Sequence, residues 1–363
     1  MKRYYLRNRL CFPIKGMNRS IIYDLNRQDY YFIPLSLYDK LSKNEVITFD
    51  DDASYKEWEA LLLEKEIIFS VDNDKEDQYF PPISEAYDMP CLLSTLIIHD
   101  NFDIEKLGFI ESAYVLNVSI IVNDYESVKK QEFVDLMSKL STFEIDSIYL
   151  YVTDNKKSFN REDFRPLDGI NQLFNIYIFE HLFEKDDSFD ILNFVFRDTS
   201  FGEFSQRMTK EKLQVNYPHF LEALNSNNYF NEKVYVDDIG NIRNGINSAK
   251  SFGNINAMKN DKELIDLIQS DSFKTLWNVK KDDTLICKDC EFRYMCVDSR
   301  NVEQNAEGEW FHKTECNYNP YLSKWTHEED FKSLEECGII LNSEGQFKIN
   351  EKQLETVFNS VWD

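Results

Sequence analysis

Three of the seven cysteines in this 363-residue chain fall within ten residues, as Cys287, Cys290 and Cys296. Cys316 follows with nineteen residues between. Two thiolates separated by two residues can face one metal centre, because a tight turn points both sulfurs inward. Four thiolates complete a tetrahedral zinc site or hold the corners of a 4Fe–4S cluster. The spacing alone accepts either. The neighbours Lys288, Asp289, Glu291 and Arg293 make this a polar loop, which structural thiols have no reason to crowd.

The elements that must position this loop occupy a long, aromatic-rich chain. Hydrophobic residues make up 42% and aromatics 15%, enough for two or three domains with real cores. The net charge of −24 is spread along the chain. Such a surface repels phosphate backbones and anionic lipids, so neither nucleic acid nor membrane is an expected partner. No apolar run approaches a membrane span, and no export signal follows the basic start. The cysteines are therefore expected to be reduced and cytoplasmic, which favours metal over disulfide.

Residues 1–85 read as one small α/β module. Strands are expected over 4–12, 20–25, 30–33 and 67–69, with helices over 35–41 and around Trp58, Leu61 and Leu62, the latter capped by Asp51 or Asp52. This is a winged-helix-like arrangement, followed by a linker over 72–82. Residues 86–230 alternate strand and helix, with strands over 92–99, 115–122, 147–152, 175–179 and 191–196 and a helix over 126–140. That pattern predicts a parallel sheet or partial (β/α) barrel. Residues 231–326 begin with a hairpin about Asp238, Ile239 and Gly240 and carry the cysteine loop. Residues 327–363 read as helix (328–336), hairpin and helix.

The residues now assembled resemble the SPASM domain, the auxiliary-cluster domain of radical-SAM peptide-modifying enzymes. Cys287, Cys290, Cys296 and Cys316 match the ligands of one auxiliary cluster. The resemblance sets Gly245 and Ser299 at ligand positions of a second, abandoned site. The Cys-x3-Cys-x2-Cys motif of radical-SAM catalysis is absent, since Cys11 and Cys91 are the sole upstream cysteines. The barrel-like region is thus expected to be a relic that does not cleave S-adenosylmethionine. More narrowly, the stretches 16–34, 229–242, 251–255 and 287–300 resemble the SPASM-domain peptide maturase of grasp-with-spasm systems, which pairs with an ATP-grasp ligase and a precursor peptide.

That resemblance implies an accessory role in ribosomal peptide maturation, with one 4Fe–4S cluster or, alternatively, zinc. A different class of function is a redox enzyme that uses the single cluster on the peptide. A full shell of four thiolates leaves no open position for substrate, which favours the accessory role. The precursor is expected to add as a strand beside Tyr30, Tyr31, Phe32 and Ile33, with pockets near Trp58. The five histidines are scattered and read as packed or surface residues, with His312 close to Cys316. Cys11, Cys91 and Cys337 read as core. No acid/base pair stands out, and the sequence holds no phosphate-binding loop.

Overall fold

Along residues 117–120, 147–153 and 175–179, aliphatic side chains alternate with polar or aromatic ones. Successive strand side chains point to opposite faces, so this pattern builds a sheet with two different surfaces. The computed structural model describes residues 3–49, 53–181, 187–189 and 192–362. The expected cap at Asp51 or Asp52 and the first residue of the 191–196 strand lie outside them.

The N-terminal elements are β1 (Tyr4–Arg7), β2 (Cys11–Lys15), β3 (Ser20–Asp24), β4 (Asp29–Ile33), α1 (Leu35–Leu41), α2 (Ala53–Glu64) and β5 (Ile68–Val71). The single strand expected over 4–12 is two, because Asn8 turns the chain. Its carbonyl accepts from Cys11 N at 3.0 Å, and its side chain accepts from Leu10 N at 3.1 Å. Strands β2, β3 and β4 form an antiparallel meander, and β1 pairs with β5. One face of the meander packs Ile22 and Ile33 against Leu37, Leu41 and Leu62 from the two helices.

The central sheet then assembles from β6 (Thr95–His99), β7 (Asn117–Val122), β8 (Ser147–Thr153), β9 (Leu173–Phe179), β10 (Asp187–Phe189) and β11 (Leu192–Phe196). The helices between these strands are α3 (Phe109–Ala113) and α4 (Gln131–Leu140). The chain is mixed α/β with a parallel core. The order runs β10-β11-β9-β8-β7-β6-β12-β13, antiparallel only at its two ends. Both β12 (Lys233–Val236) and β13 (Ile242–Arg243) belong to it, so the sheet continues past residue 230. The outer face carries Leu96, Val118, Ile148, Leu150 and Ile176 into the main core. Each such fully buried side chain contributes roughly 1.5–3 kcal/mol. In α4, Phe133, Leu136, Met137 and Leu140 meet this face at helical spacing. The helix expected over 126–140 is interrupted at Lys130, which is extended (φ −83°, ψ 145°) and caps α4.

After α5 (Phe201–Gln206) and α6 (Tyr217–Asn225), the chain crosses the inner face and returns through β12 and β13. Helices α7 (Asp261–Gln269) and α8 (Asp271–Lys274) bury Leu264, Ile268 and Phe273 in the main core and deliver the chain to the cysteine loop. Short hairpins follow: β14 (Val302–Gln304) with β15 (Trp310–His312), β16 (Tyr318–Asn319) with β17 (Lys324–Trp325), and β18 (Ile339–Leu341) with β19 (Phe347–Ile349), before α9 (Glu351–Trp362). The helix expected over 328–336 does not form. Asp330 takes φ +61°, a left-handed conformation that a right-handed helix cannot contain. No helix among the described residues is long and apolar enough to cross a membrane.

Candidate metal centre

Local backbone bonds curl the cysteine loop tightly. Lys288 N donates to Thr284 O, Asp289 N to Ile286 O, and Cys290 N to Cys287 O, each at 3.0–3.1 Å. Ile286, just before Cys287, is held at φ +70°. A β-branched side chain is strained there by roughly 1–3 kcal/mol, so surrounding contacts must enforce the turn. Cys296 is placed by a different element: Gln214 N donates to Met295 O at 2.7 Å, and Val297 N to Lys212 O at 3.3 Å. The β14–β15 hairpin swings the chain back so that Cys316 rejoins the site.

The four thiols lie within electrostatic reach of one another in pairs. Cys287 interacts electrostatically with Cys316, Cys290 with Cys287 and Cys296, and Cys296 with Cys287 and Cys316. All four are half-buried free thiols. Burial pushes each above the ordinary thiol range. Phe292, Tyr318 and Trp325 belong to an apolar cluster against which Cys290, Cys296 and Cys316 pack.

Beside them lies a buried charge cluster that reading the sequence missed. Asp298, Lys281 and Arg300 are 2%, 2% and 6% exposed. Arg300 Nη2 reaches Asp298 Oδ2 at 2.6 Å, and Lys281 Nζ reaches it at 3.3 Å. Burial opposes the charge on Asp298, but Arg300 and then Lys281 hold its carboxyl well below the usual range. Ligand atoms of Cys287, Asp298 and His312 lie within 4.8 Å of one another, a spacing that could hold a metal ion. Asp298 Oδ2 is already shared by Lys281 and Arg300, and His312 Nε2 also lies 3.4 Å from it. His312 Nδ1 lies 3.0 Å from Asn301 O, and its Nε2 has no hydrogen-bond partner. Lys281 Nζ likewise forms no hydrogen bond, although Cys287 and Cys296 are within electrostatic reach. Lys281 Nζ and His312 Nε2 both face Asp298 Oδ2, at 3.3 and 3.4 Å, so the carboxylate gathers them into one buried cluster beside Cys287.

The N-terminal meander docks directly on this loop. Met17 N donates to Asp289 O at 2.8 Å, Tyr23 Oη to Glu291 O at 2.7 Å, and Arg293 to Lys15 O at 2.7 Å. Arg19 pairs with the buried Glu291 at 2.7 Å, its guanidinium 3.7 Å from the Phe32 ring centre. Strand alternation divides the residues expected to meet a peptide. Tyr31 and Ile33 pack with Trp58 in the module core. Tyr30 and Phe32 turn the other way, with ring centroids 5.9 and 6.0 Å from Phe292. Among the described residues β4 pairs with β3 alone, leaving its other edge open.

Other expectations change. Cys11 and Cys337 are buried as expected. Cys91 is instead half-buried, with Sγ 3.8 Å from Glu232 Oε2, and burial followed by that carboxylate pushes it up to about 12. Three intervening residues after Cys296 lead to Arg300, so the pattern of the resemblance would set its second-site position there and not on Ser299. At Gly245, a Cβ would stand 2.9 Å from Tyr229 Cε1 and 3.1 Å from Phe230 Cε1. Aromatic rings fill that space. Gly245→Cys is therefore expected to destabilise the fold by about 1–3 kcal/mol, as overpacking does. It should bring no added metal, measured by urea denaturation and metal analysis.

A cavity of about 640 Å³ lies between the inner sheet face and the segment after Cys296, reaching from Tyr151 and Tyr177 to His219, Glu222 and Asn228. The alternation of Ser147, Tyr149 and Tyr151 with Ile148, Leu150 and Val152 was the sequence signal for such a lined face. His219 and His312 are both pushed down to about 3, first by burial. Between pH 6.5 and 3 the unfolded chain binds protons that these imidazoles refuse, so stability falls on acidification through that window. Urea midpoints should drop from pH 6.5 to pH 4, and less so in a His219→Asn variant.

No family model and no curated protein matches the chain. Two solved structures of SuiB from Streptococcus suis show a loose overall likeness. One, with SuiB bound to S-adenosylmethionine, is 11% identical at TM-score 0.35, covering 81% of this chain and 94% of that one. The other is 11% identical at TM-score 0.34, covering 80% and 94%. Likeness at this level leaves the reading of the site to its own residues.

Proposed function

We propose that this protein is an accessory maturation factor for a ribosomally made peptide, working in the cytoplasm with an ATP-grasp ligase. Residues 1–85 capture the precursor. Cys287, Cys290, Cys296 and Cys316 hold one metal centre. The observation that carries the reading is that β4, unpaired on its other edge among the described residues, sets Phe32 against Arg19 and against Phe292 of the cysteine loop. An extended peptide there would satisfy unpaired backbone groups of β4. It would also run beside Phe32, Arg19 and Phe292, which tie capture to the centre.

The centre is proposed to be a 4Fe–4S cluster. Zinc with bonds of ~2.3 Å needs its four sulfurs roughly 3.8 Å apart. Among the described residues, no three of these sulfurs lie within 4.8 Å of one another. When bound, such a cluster would supply structural cross-linking and the capacity to pass one electron. The chain's own contribution is to hold it in an apolar shell with Lys281 and Arg300 offsetting its negative charge.

Anaerobic reconstitution with precursor and ligase tests the role. Modification should require this protein, and equal yield without it would reject the proposal. Capture is read separately by calorimetry with the leader peptide. A Phe32→Glu variant should bind about tenfold more weakly, because it places a charge on the proposed track.

A further inference from the structure

Ile286 stands immediately before Cys287 with φ +70° and ψ −48°. This is close to the mirror image of the common inverse γ-turn, where a β-branched side chain is strained. Glycine has no such preference of hand, because it lacks a Cβ. Strain of this kind persists only where other contacts over-determine the turn. Two such contacts come from the chain beyond Cys316. The Ile286 side chain packs against a buried cluster that holds Tyr321, Leu322, Leu334 and Ile339, and Leu354 of α9 packs on the same cluster. Tyr321 also donates its hydroxyl to Asp289 Oδ2 at 2.6 Å, two residues past Cys287.

The cluster is itself tied down. Leu334 N donates to Glu315 Oε1 at 2.7 Å, and Trp362 Nε1, at the end of α9, donates to Leu322 O at 2.9 Å. Ile286, Cys287, Cys316, Leu334 and Ile339 together border a cavity of about 350 Å³. That space gives the turn room to relax if the packing loosens. We propose that the segment from Leu334 through α9 is a clamp. By packing on Ile286 it holds the strained turn, and the turn sets where the Cys287 sulfur stands. Ile286 is thus a positioning residue. A glycine would adopt the turn unaided, so isoleucine makes the placement of Cys287 depend on the C-terminal segment. The consequence for metal binding rests on the reading of the four thiols as one centre, whereas the clamp itself does not.

The test uses the full chain, with substitutions away from the cysteines. Ile286→Ala loses the packing and keeps the strain, whereas Ile286→Gly loses both. Glycine ordinarily ranks below alanine in stability, because it has more backbone freedom to lose. Here the urea midpoint of Ile286→Gly should exceed that of Ile286→Ala. Ile339→Ala loosens the clamp from its other side. Alkylation of Cys287 is read by mass spectrometry, with Cys290 as the internal reference. It should be about tenfold faster than wild type in Ile339→Ala and in Ile286→Ala, as release of one strained residue implies. Adding Ile286→Gly to Ile339→Ala should slow it again toward the wild-type rate, which a mere loss of packing would not do. A glycine variant less stable than the alanine variant, or a double variant that alkylates as fast as Ile339→Ala, would overturn the proposal. If Ile339→Ala fails to fold, Leu334→Ala replaces it, and the order of the glycine and alanine variants decides in either case. Cobalt(II) titration judges the centre separately. A wild type that binds no cobalt would reject the shared centre, and the alkylation order would still decide the clamp.

Discussion

Cys296→Ser is expected to empty the metal centre. Anaerobically purified wild-type protein should carry close to one equivalent of a single centre, and the variant less than half. Cys91→Ser should keep its full complement, since that thiol lies against Glu232 and is not among the proposed four. Visible absorbance identifies the centre, because an iron–sulfur cluster absorbs and zinc does not. The loss should extend to folding. Two chain segments, 287–296 and 316, would be joined through the proposed centre. Binding energy there is folding energy, of order 10 kcal/mol for structural zinc in small domains. Chelation or ligand loss should therefore lower the thermal midpoint and open the segment around Phe292 and Tyr318 to proteolysis. Wild-type protein with less than half an equivalent of any metal would defeat the assignment.

Asp298→Asn should be nearly as severe. It removes the one carboxylate shared by the buried Lys281 and Arg300 and leaves two cations without compensation. Breaking a buried pair in this way costs about 3–5 kcal/mol, whereas exposed pairs are worth under ~1 kcal/mol. Urea denaturation at neutral pH measures it, and a loss below 1 kcal/mol would show that other groups neutralise the cations. The pH dependence has a definite sign. A carboxyl held below its unfolded value contributes stability that is complete above the ordinary carboxylate range. That contribution disappears as pH falls through the folded value, so the wild type should approach the variant in strong acid. Lys281 and Arg300 also lie within electrostatic reach of Cys287, so the same substitution should weaken the proposed centre.

Truncation near residue 86 is a poor probe of peptide capture. Without the meander, Phe292 and Glu291 would lose Tyr30, Tyr23 and Arg19. Metal loss and leader loss would then coincide. Substitution of Phe32, which is 41% exposed, separates them.

Spacing in the chain was sufficient for several elements. The spacing of Cys287, Cys290, Cys296 and Cys316 pointed to a proposed shared site, because a tight turn and a returning hairpin need only local geometry. The alternation in β7, β8 and β9, the periodicity of α4 and the turn before β13 are equally local, so strand and helix positions could be read from them. What depended on the tertiary structure is everything set by distant partners. Lys281, Asp298 and Arg300 look like ordinary loop charges until burial beside the thiols makes each costly without the others. Residues 328–336 carry helix-forming residues, yet Asp330 is held left-handed where Leu334 N is taken by Glu315. Asn228 and Glu222 lie apart from Tyr151 and Tyr177 in sequence, and only the crossing of α6 over the sheet sets them around one cavity. Local propensity decides single elements, whereas desolvation and pairing across the chain decide which charges and polar groups form a site.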